Sequence, residues 1–444
     1  MNIFKQICLF SFLVIYSIGF TQINWNSNKK KIAIPFEFTH NLIIVKVSIN
    51  NVNLEMIVDT GAEKNILFNF PSVQNITFYS TRTVQISGLG SGDNLEAVVS
   101  SNNNFIIKDI QDTNFEVLLL LNNNINLVNK LGMPINGILG SSFFKDYLVE
   151  INYAKKKLFL YKNSASFYKR KVKKYDSIDV QFIKSKPYIK IPVDDATKKL
   201  ETILLFDSGL SDGLWLFEDE NIMCNQNHFE DVLGIGLGGD VKGKKSRVKK
   251  LQIANYKLND ALVSYPDSIS LQNIFSNSKS IRNGSIGGEI LKRFNWVLDY
   301  NKNVFYFVKN KLFSEPFNYN MSGIEVQHEG VEWIREITRT TEKSTYNTID
   351  AKEFIYDNPD LKNTFEYKLK PVFIVYNIRE NSPAHRAGIK INDKIVSING
   401  KKAYDYSIKK ITELFQSEEG KKVKIKIDRN GEEIDFEFYL EKIL

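Results

Sequence analysis

The chain holds 444 residues, 43% of them hydrophobic and 25% charged, with a formal net charge of +8. That composition excludes a chain too polar to bury a core, and the length implies two to four domains. Two cysteines, Cys8 and Cys224, are too few for a disulfide-built scaffold.

Residues 1–22 carry one lysine, Lys5, then an apolar run from Ile7 to Ile18, then small and polar residues. The run is short for a membrane span and reads as a secretory signal peptide that is removed, with a signal anchor as the other reading. Cys8 leaves with it, so the mature chain keeps Cys224 alone and has no internal disulfide. No histidine neighbours Cys224 in a recognisable pattern, and it reads as a small hydrophobe rather than a nucleophile.

Residues 54–68, LEMIVDTGAEKNILF, run an apolar strand into Asp59-Thr60-Gly61. An acid at the end of a buried strand must be paired, hydrogen-bonded or at work. One such triplet arises by chance at roughly one position in a few thousand. Here it recurs: residues 201–217, ETILLFDSGLSDGLWLF, repeat the pattern at Asp207-Ser208-Gly209, 148 residues later. Gly88-Leu89-Gly90 and Gly236-Leu237-Gly238 are again 148 apart, and the stretches beginning GILG at Gly137 and GSIG at Gly284 are 147 apart. Three features at one spacing make an internal duplication.

Within each repeat, segments such as LIIVKVSIN (42–50), PYIKIPV (187–193) and NVFYFV (303–308) are rich in β-branched and aromatic residues and bounded by turn residues. Residues 30–310 therefore read as all-β, with short helices at GSSFFKDY and GGEILKRF. Between the repeats, the basic run YKRKVKKY (168–175) reads as a solvated linker, and KGKKSRVKK (242–250) as an exposed hairpin. An exported chain rarely meets nucleic acid, so these runs do not imply a nucleic-acid partner. Residues 238–245, GGDVKGKK, space glycine and lysine like a phosphate-binding loop, but Lys245 stands where Ser or Thr is needed and no helical pattern follows.

The paired motifs resemble the two halves of a single-chain aspartic protease of the retropepsin-like class. The resemblance implies that Asp59 and Asp207 are the catalytic pair at the lobe interface. It implies that Thr60 and Ser208 brace the opposite loops, and that Gly61 and Gly209 let the backbones approach. Gly88, Leu89 and Gly90, with Gly236, Leu237 and Gly238, are the flap candidates, and Ile138-Leu139-Gly140 and Ser285-Ile286-Gly287 pack behind the acids. Two close carboxylates share one proton, so one serves as base towards a water and the other as acid towards a peptide carbonyl. This chemistry needs no metal and no cofactor, and His40, His228, His328 and His385 show no metal-ligand spacing. Ser208 replaces the usual Thr and keeps the hydroxyl. Leu210 stands where a small residue is usual and would crowd the pair. Neither Ala62 nor Leu210 offers a hydroxyl to the acids, which predicts a proton held to higher pH than in a pepsin-like pair.

Residues 372–407 resemble a PDZ domain through Ser382-Pro383-Ala384, Ala387-Gly388-Ile389, Asn392-Asp393-Lys394-Ile395 and Ile398-Asn399-Gly400. A hairpin with an Asn-Gly turn closes it within residues 422–440. The resemblance implies a groove that adds a peptide strand to a sheet edge, with Ser322, Gly323, Ile324 and Glu325 as the carboxylate loop. A docking module that binds no peptide is the other reading.

The expected order is signal peptide 1–22, first lobe 30–165, basic linker 166–178, second lobe 179–310, and a PDZ domain 320–444 with an insertion at about 330–370. The expected protein is an exported aspartic endopeptidase in the periplasm or envelope of a Gram-negative bacterium. It acts as a monomer on peptide or protein substrates, and its PDZ domain positions substrate tails. The alternative is a catalytically inactive peptide-binding scaffold of the envelope.

Overall fold

A computed structural model describes residues 23–25, 28–68, 76–86, 95–120, 127–162, 165–195, 198–236, 239–271, 282–338 and 364–444. The proposed signal peptide and the residues Gly88, Leu89, Gly90, Leu237 and Gly238 lie outside them. No helix of the described residues is long and apolar enough to cross a membrane.

The duplication read from the sequence is a duplication of strand order. In the first lobe, strand Val52–Val58 pairs antiparallel with Leu42–Ile49 and parallel with Gly137–Leu139. The latter pairs antiparallel with Ile66–Leu67, which runs parallel to Ile110–Leu120. In the second lobe, Lys199–Phe206 stands in the same relation to Lys186–Asp194, Gly284–Ile286, Leu214–Leu216 and Tyr256–Pro266. The strands before each Asp are buried on both faces at their ends, which is why Met56-Ile57-Val58 and Leu204-Leu205-Phe206 do not alternate with polar residues. Short helices Ser141–Phe144 and Gly288–Leu291 follow the two glycine elements, as expected.

Behind the acids the lobes share one sheet. Leu148–Asn152 of the first lobe pairs antiparallel with Phe294–Asp299 of the second, and each is flanked by its own hairpin partner, Lys157–Tyr161 and Val304–Lys309. Phe206 packs edge-on against Trp296 and Phe305 at 4.8 and 5.1 Å between ring centroids, which fixes the second acid-bearing strand on this shared floor.

Two expectations change and a third gains detail. The basic run 168–175 is not a bare linker: Ala165–Arg170 is helical, and Lys171 lies 2.8 Å from the buried carboxylate of Glu150 on the shared sheet. A buried acid needs a cation, and the linker supplies it. The run 242–250 lies on strand Gly239–Ile253, where Lys245 is 3.1 Å from Asp212 and Arg247 donates to the Phe317 carbonyl at 3.0 Å. Lys244, Lys245 and Lys250 pair with acids of their own lobe and Arg247 ties it to the segment that follows, while Lys242 and Lys249 are exposed. The expected insertion in the C-terminal domain begins and ends as one antiparallel hairpin, Ile324–Thr338 with Thr364–Ile378, and residues 339–363 lie outside the described set.

The C-terminal sheet places Ile324–Thr338 at its edge, followed by Thr364–Ile378, Lys394–Ile398, Lys422–Arg429 and Glu432–Tyr439. Helix Pro383–Ala387 begins on the Ser382 side chain, which accepts from the His385 N–H, and ends at Gly388 with φ of 100°. Helix Ile408–Phe415 buries Ile408, Ile411 and Phe415.

Candidate active site

Asp59 and Asp207 follow directly on the two parallel strand pairs, and each receives its position from the glycine element of its own lobe. The Asp59 N–H donates to the Leu139 carbonyl at 3.0 Å, and the Asp207 N–H donates to the Ile286 carbonyl at 2.9 Å. Their turns then cross-brace. The Thr60 hydroxyl donates to the Phe206 carbonyl at 2.6 Å and accepts from the Ser208 N–H at 3.1 Å. In return the Ser208 hydroxyl donates to the Val58 carbonyl at 2.8 Å and accepts from the Thr60 N–H at 3.1 Å. All four bonds are buried, so four backbone groups depend on two hydroxyls.

The glycines are demanded by space. A Cβ on Gly61 would stand 2.6 Å from the Asp207 carboxyl carbon, and one on Gly209 would stand 2.3 Å from that of Asp59. Each backbone touches the opposite acid, which brings the two carboxyls into a hydrogen bond with one another. Leu210 does not crowd them: its side chain packs with Trp215, Leu233 and Val241.

The pair is uneven. Asp59 Oδ1 accepts from the N–H groups of Gly61 at 2.7 Å and Ala62 at 2.9 Å, whereas the Asp207 carboxylate accepts from Gly209 at 3.0 Å. The Leu210 N–H donates instead to the Asp207 main-chain carbonyl at 3.4 Å. Burial raises both acids. The two backbone donors and the hydrogen bond from Asp207 pull Asp59 back down, while the neighbouring Asp59 charge adds to burial and pushes Asp207 up to about 8. The arrangement therefore places the shared proton on Asp207 and the charge on Asp59.

Sequence reasoning missed two cations beside the pair. Tyr188 lies opposite Leu205, so continuing the register sets Lys186 opposite Asp207. The charge of Lys186 acts on both acids, and that of Arg282 acts on Asp207. The signal was present in the turn before each strand, where His40-Asn41-Leu42 and Lys184-Ser185-Lys186 occupy matching places.

Of the flap candidates, Gly236 is described and ends strand Phe229–Gly236, the first arm of a hairpin with Gly239–Ile253. The C-terminal domain holds this hairpin. Arg379 lies 3.2 Å from Asp231 and stacks over Phe229 at 4.1 Å, and the Tyr376 hydroxyl bonds to Asp240. From the first lobe, Lys130 reaches the same Asp240 at 3.0 Å and lies 3.8 Å over the Tyr376 ring.

The expected carboxylate loop is already satisfied. The N–H groups of Ser322 and Gly323 donate to the Asn320 side-chain oxygen at 3.0 and 3.1 Å, and that of Ile324 donates to the Ser322 hydroxyl at 3.0 Å. First-lobe helix Leu127–Leu131 packs against the edge strand and against helix Ile408–Phe415, the two walls between which an added strand would lie. A Cβ on Gly132 would come within 3.0 Å of Ile408. Glu325 is pushed up to about 7 by burial and by Asp231. Cys224 is half-buried and its thiol is pushed up to about 11 by burial and Glu218, which keeps it protonated.

Residues 374–429 match the PDZ domain family, so the chain ends in a PDZ domain. No curated protein matches the chain in sequence. Among solved structures, basic 7S globulin from soybean is similar over 64% of this chain and 96% of its own, at 8% identity and a TM-score of 0.39. An aspartic proteinase from Irpex lacteus is similar over 65% of this chain and 100% of its own, at 9% identity and a TM-score of 0.39.

Proposed function

We propose that the protein is an exported aspartic endopeptidase of the bacterial envelope, with Asp59 and Asp207 as one shared-proton unit. The observation that carries this reading is the uneven pair itself, two half-buried carboxyls bonded to each other with two backbone donors on one and one on the other. Asp59, charged, takes a proton from a water held between the acids as that water attacks a peptide carbonyl. Asp207, protonated, donates to the carbonyl oxygen and stabilises the tetrahedral intermediate; as the C–N bond breaks, Asp59 passes the water-derived proton to the leaving amine and Asp207 recovers its own from the intermediate's hydroxyl. The cross-braced hydroxyls keep the two turns from separating, which such a step requires of its positioning groups.

In this reading the PDZ domain acts on the second-lobe hairpin. Through Arg379 and Tyr376 it fixes Asp231 and Asp240 on the two arms of the hairpin that the resemblance assigns as a flap. Peptide tails enter its groove only when helix Leu127–Leu131 moves away. The test is digestion of a peptide library by the full-length chain, with new termini read by mass spectrometry. Cleavage by the wild type and none by Asp59→Asn supports the enzyme. An intact library in both supports the scaffold reading.

A further inference from the structure

The two lobes share a strand order but not the chemistry of the wall beside the acids. In the first lobe the register sets Leu42 opposite Asp59, as it sets Lys186 opposite Asp207 in the second. Ile44 and Tyr188 then occupy matching places two residues on. Gly137 pairs with Met56 and Gly284 with Leu204, so Ile135 and Arg282, each two residues earlier, also correspond. Leu42, Ile44 and Ile135 are buried together in one apolar cluster that includes Val84 and Ile86 of the first-lobe hairpin. Their second-lobe counterparts are a lysine, a tyrosine and an arginine.

The fold does not require those charges, since the first lobe builds the same corner from aliphatic residues. Nor does the corner suit them. Lys186 is partly buried, and its ammonium makes no hydrogen bond or ion pair with the described residues. Arg282 stands beside it, with its guanidinium 5.2 Å from the Phe217 ring and 3.4 Å from the Ser285 hydroxyl. Burial disfavours the charge of both cations, and the Arg282 charge disfavours that of Lys186 further. The charge of the acid pair and that of Glu63 both act on Lys186. The groups that line the corner are an ammonium, a guanidinium and a phenol, all hydrogen-bond donors and two of them cationic.

We propose that Lys186, Tyr188 and Arg282 form a carboxylate-binding subsite, so that the enzyme selects a carboxylate beside the scissile bond while the first lobe takes an apolar residue. The carboxylate is that of a Glu or Asp side chain, or the terminal carboxylate of a peptide cut near its end. This rests on the peptidase reading for the word substrate, but the binding site stands without it.

The test uses full-length protein and amidated octapeptide libraries that differ by Glu or Gln at each position, with a parallel set bearing free C-termini. Cleavage is read on the wild type. Binding is read on Asp59→Asn, so that it does not depend on turnover. The subsite predicts a Glu-over-Gln preference of about tenfold or more at one position flanking the cut, the worth of one charge-assisted hydrogen bond. Lys186→Leu, which restores the first-lobe residue at this corner, should erase that preference, read as the Glu-to-Gln ratio so that any change common to all peptides through the acids cancels. Lys186→Gln serves if the leucine variant does not fold. A preference confined to free C-termini supports the subsite and identifies the terminal carboxylate as its ligand. Equal Glu and Gln values in cleavage and in binding, or a preference that survives both Lys186 variants, overturns the proposal. A Glu preference in binding with no cleavage of any peptide upholds the subsite and overturns the peptidase reading alone.

Discussion

Replacing Thr60 with valine keeps the side-chain shape and removes the hydroxyl on which two opposite-lobe groups depend. The Phe206 carbonyl loses its 2.6 Å donor and the Ser208 N–H loses its 3.1 Å acceptor. Thr60 is fully buried, so water does not replace either. A buried polar group left unpaired costs about 1–3 kcal/mol, which puts Thr60→Val, with two such groups, at roughly 2–6 kcal/mol of destabilisation. The variant frees the turns to separate, so cleavage should fall more than folded protein does. The assay is urea unfolding of wild type, Thr60→Val and Thr60→Ser, with kcat measured on the folded fraction of each. Thr60→Ser should stay within about 1 kcal/mol of wild type, because Ser208 already performs the symmetric task with a serine hydroxyl. A valine variant as stable and active as wild type, or a serine variant as damaged as valine, would refute the reasoning.

The active dyad holds one proton, and Asp207 keeps it up to about pH 8, so kcat/KM should fall as pH rises past about 8 and peak in the weakly acidic to neutral range. A pH profile with its optimum near 2 to 3, roughly the region set by the pepsin pair, would contradict the assignment. At the PDZ contact, Glu325 is raised from 4.5 to about 7, so the native state holds its proton longer than the unfolded chain. Its stabilising contribution is full below about pH 4.5, declines across that window and is gone above about 7, at most about 3 kcal/mol in all. Denaturation midpoints of Glu325→Gln against wild type across pH 4 to 8 should therefore show a flatter slope in the variant. Arg379→Ala leaves the buried Asp231 carboxylate without its 3.2 Å partner and should cost about 3–5 kcal/mol of docking. Limited proteolysis should then cut within the Phe229–Gly236 arm, which resists in wild type.

The acid pair was legible because a motif that must meet its own copy is written twice. Gly61 and Gly209 have no freedom once two turns face each other at the distances seen here, so the triplets and their 148-residue spacing carry the geometry. Strand content was legible for the same reason that cores are, from β-branched and aromatic runs between turns. What stayed hidden depends on contacts between distant segments. Lys245 reads as one more exposed lysine until Asp212, 33 residues upstream, is seen beside it. Asn320 looks like a loop residue, and only the folded turn shows its side-chain oxygen taking two N–H groups of the expected carboxylate loop. Lys186 was hidden for a different reason: its meaning comes from Leu42 at the matching place, and single motifs do not compare lobes.

The central claim is that Asp59 and Asp207 act as one unit. The measurement is kcat/KM on one library-derived substrate for wild type, Asp59→Asn, Asp207→Asn and the double variant, at several protein concentrations. Each single variant should fall by about a thousandfold or more and the double variant no further, because removing either member dissolves the shared-proton pair. The wild-type rate should rise in proportion to protein concentration, since one chain supplies both acids. A single variant within tenfold of wild type, or a double variant far below both singles, would contradict the account.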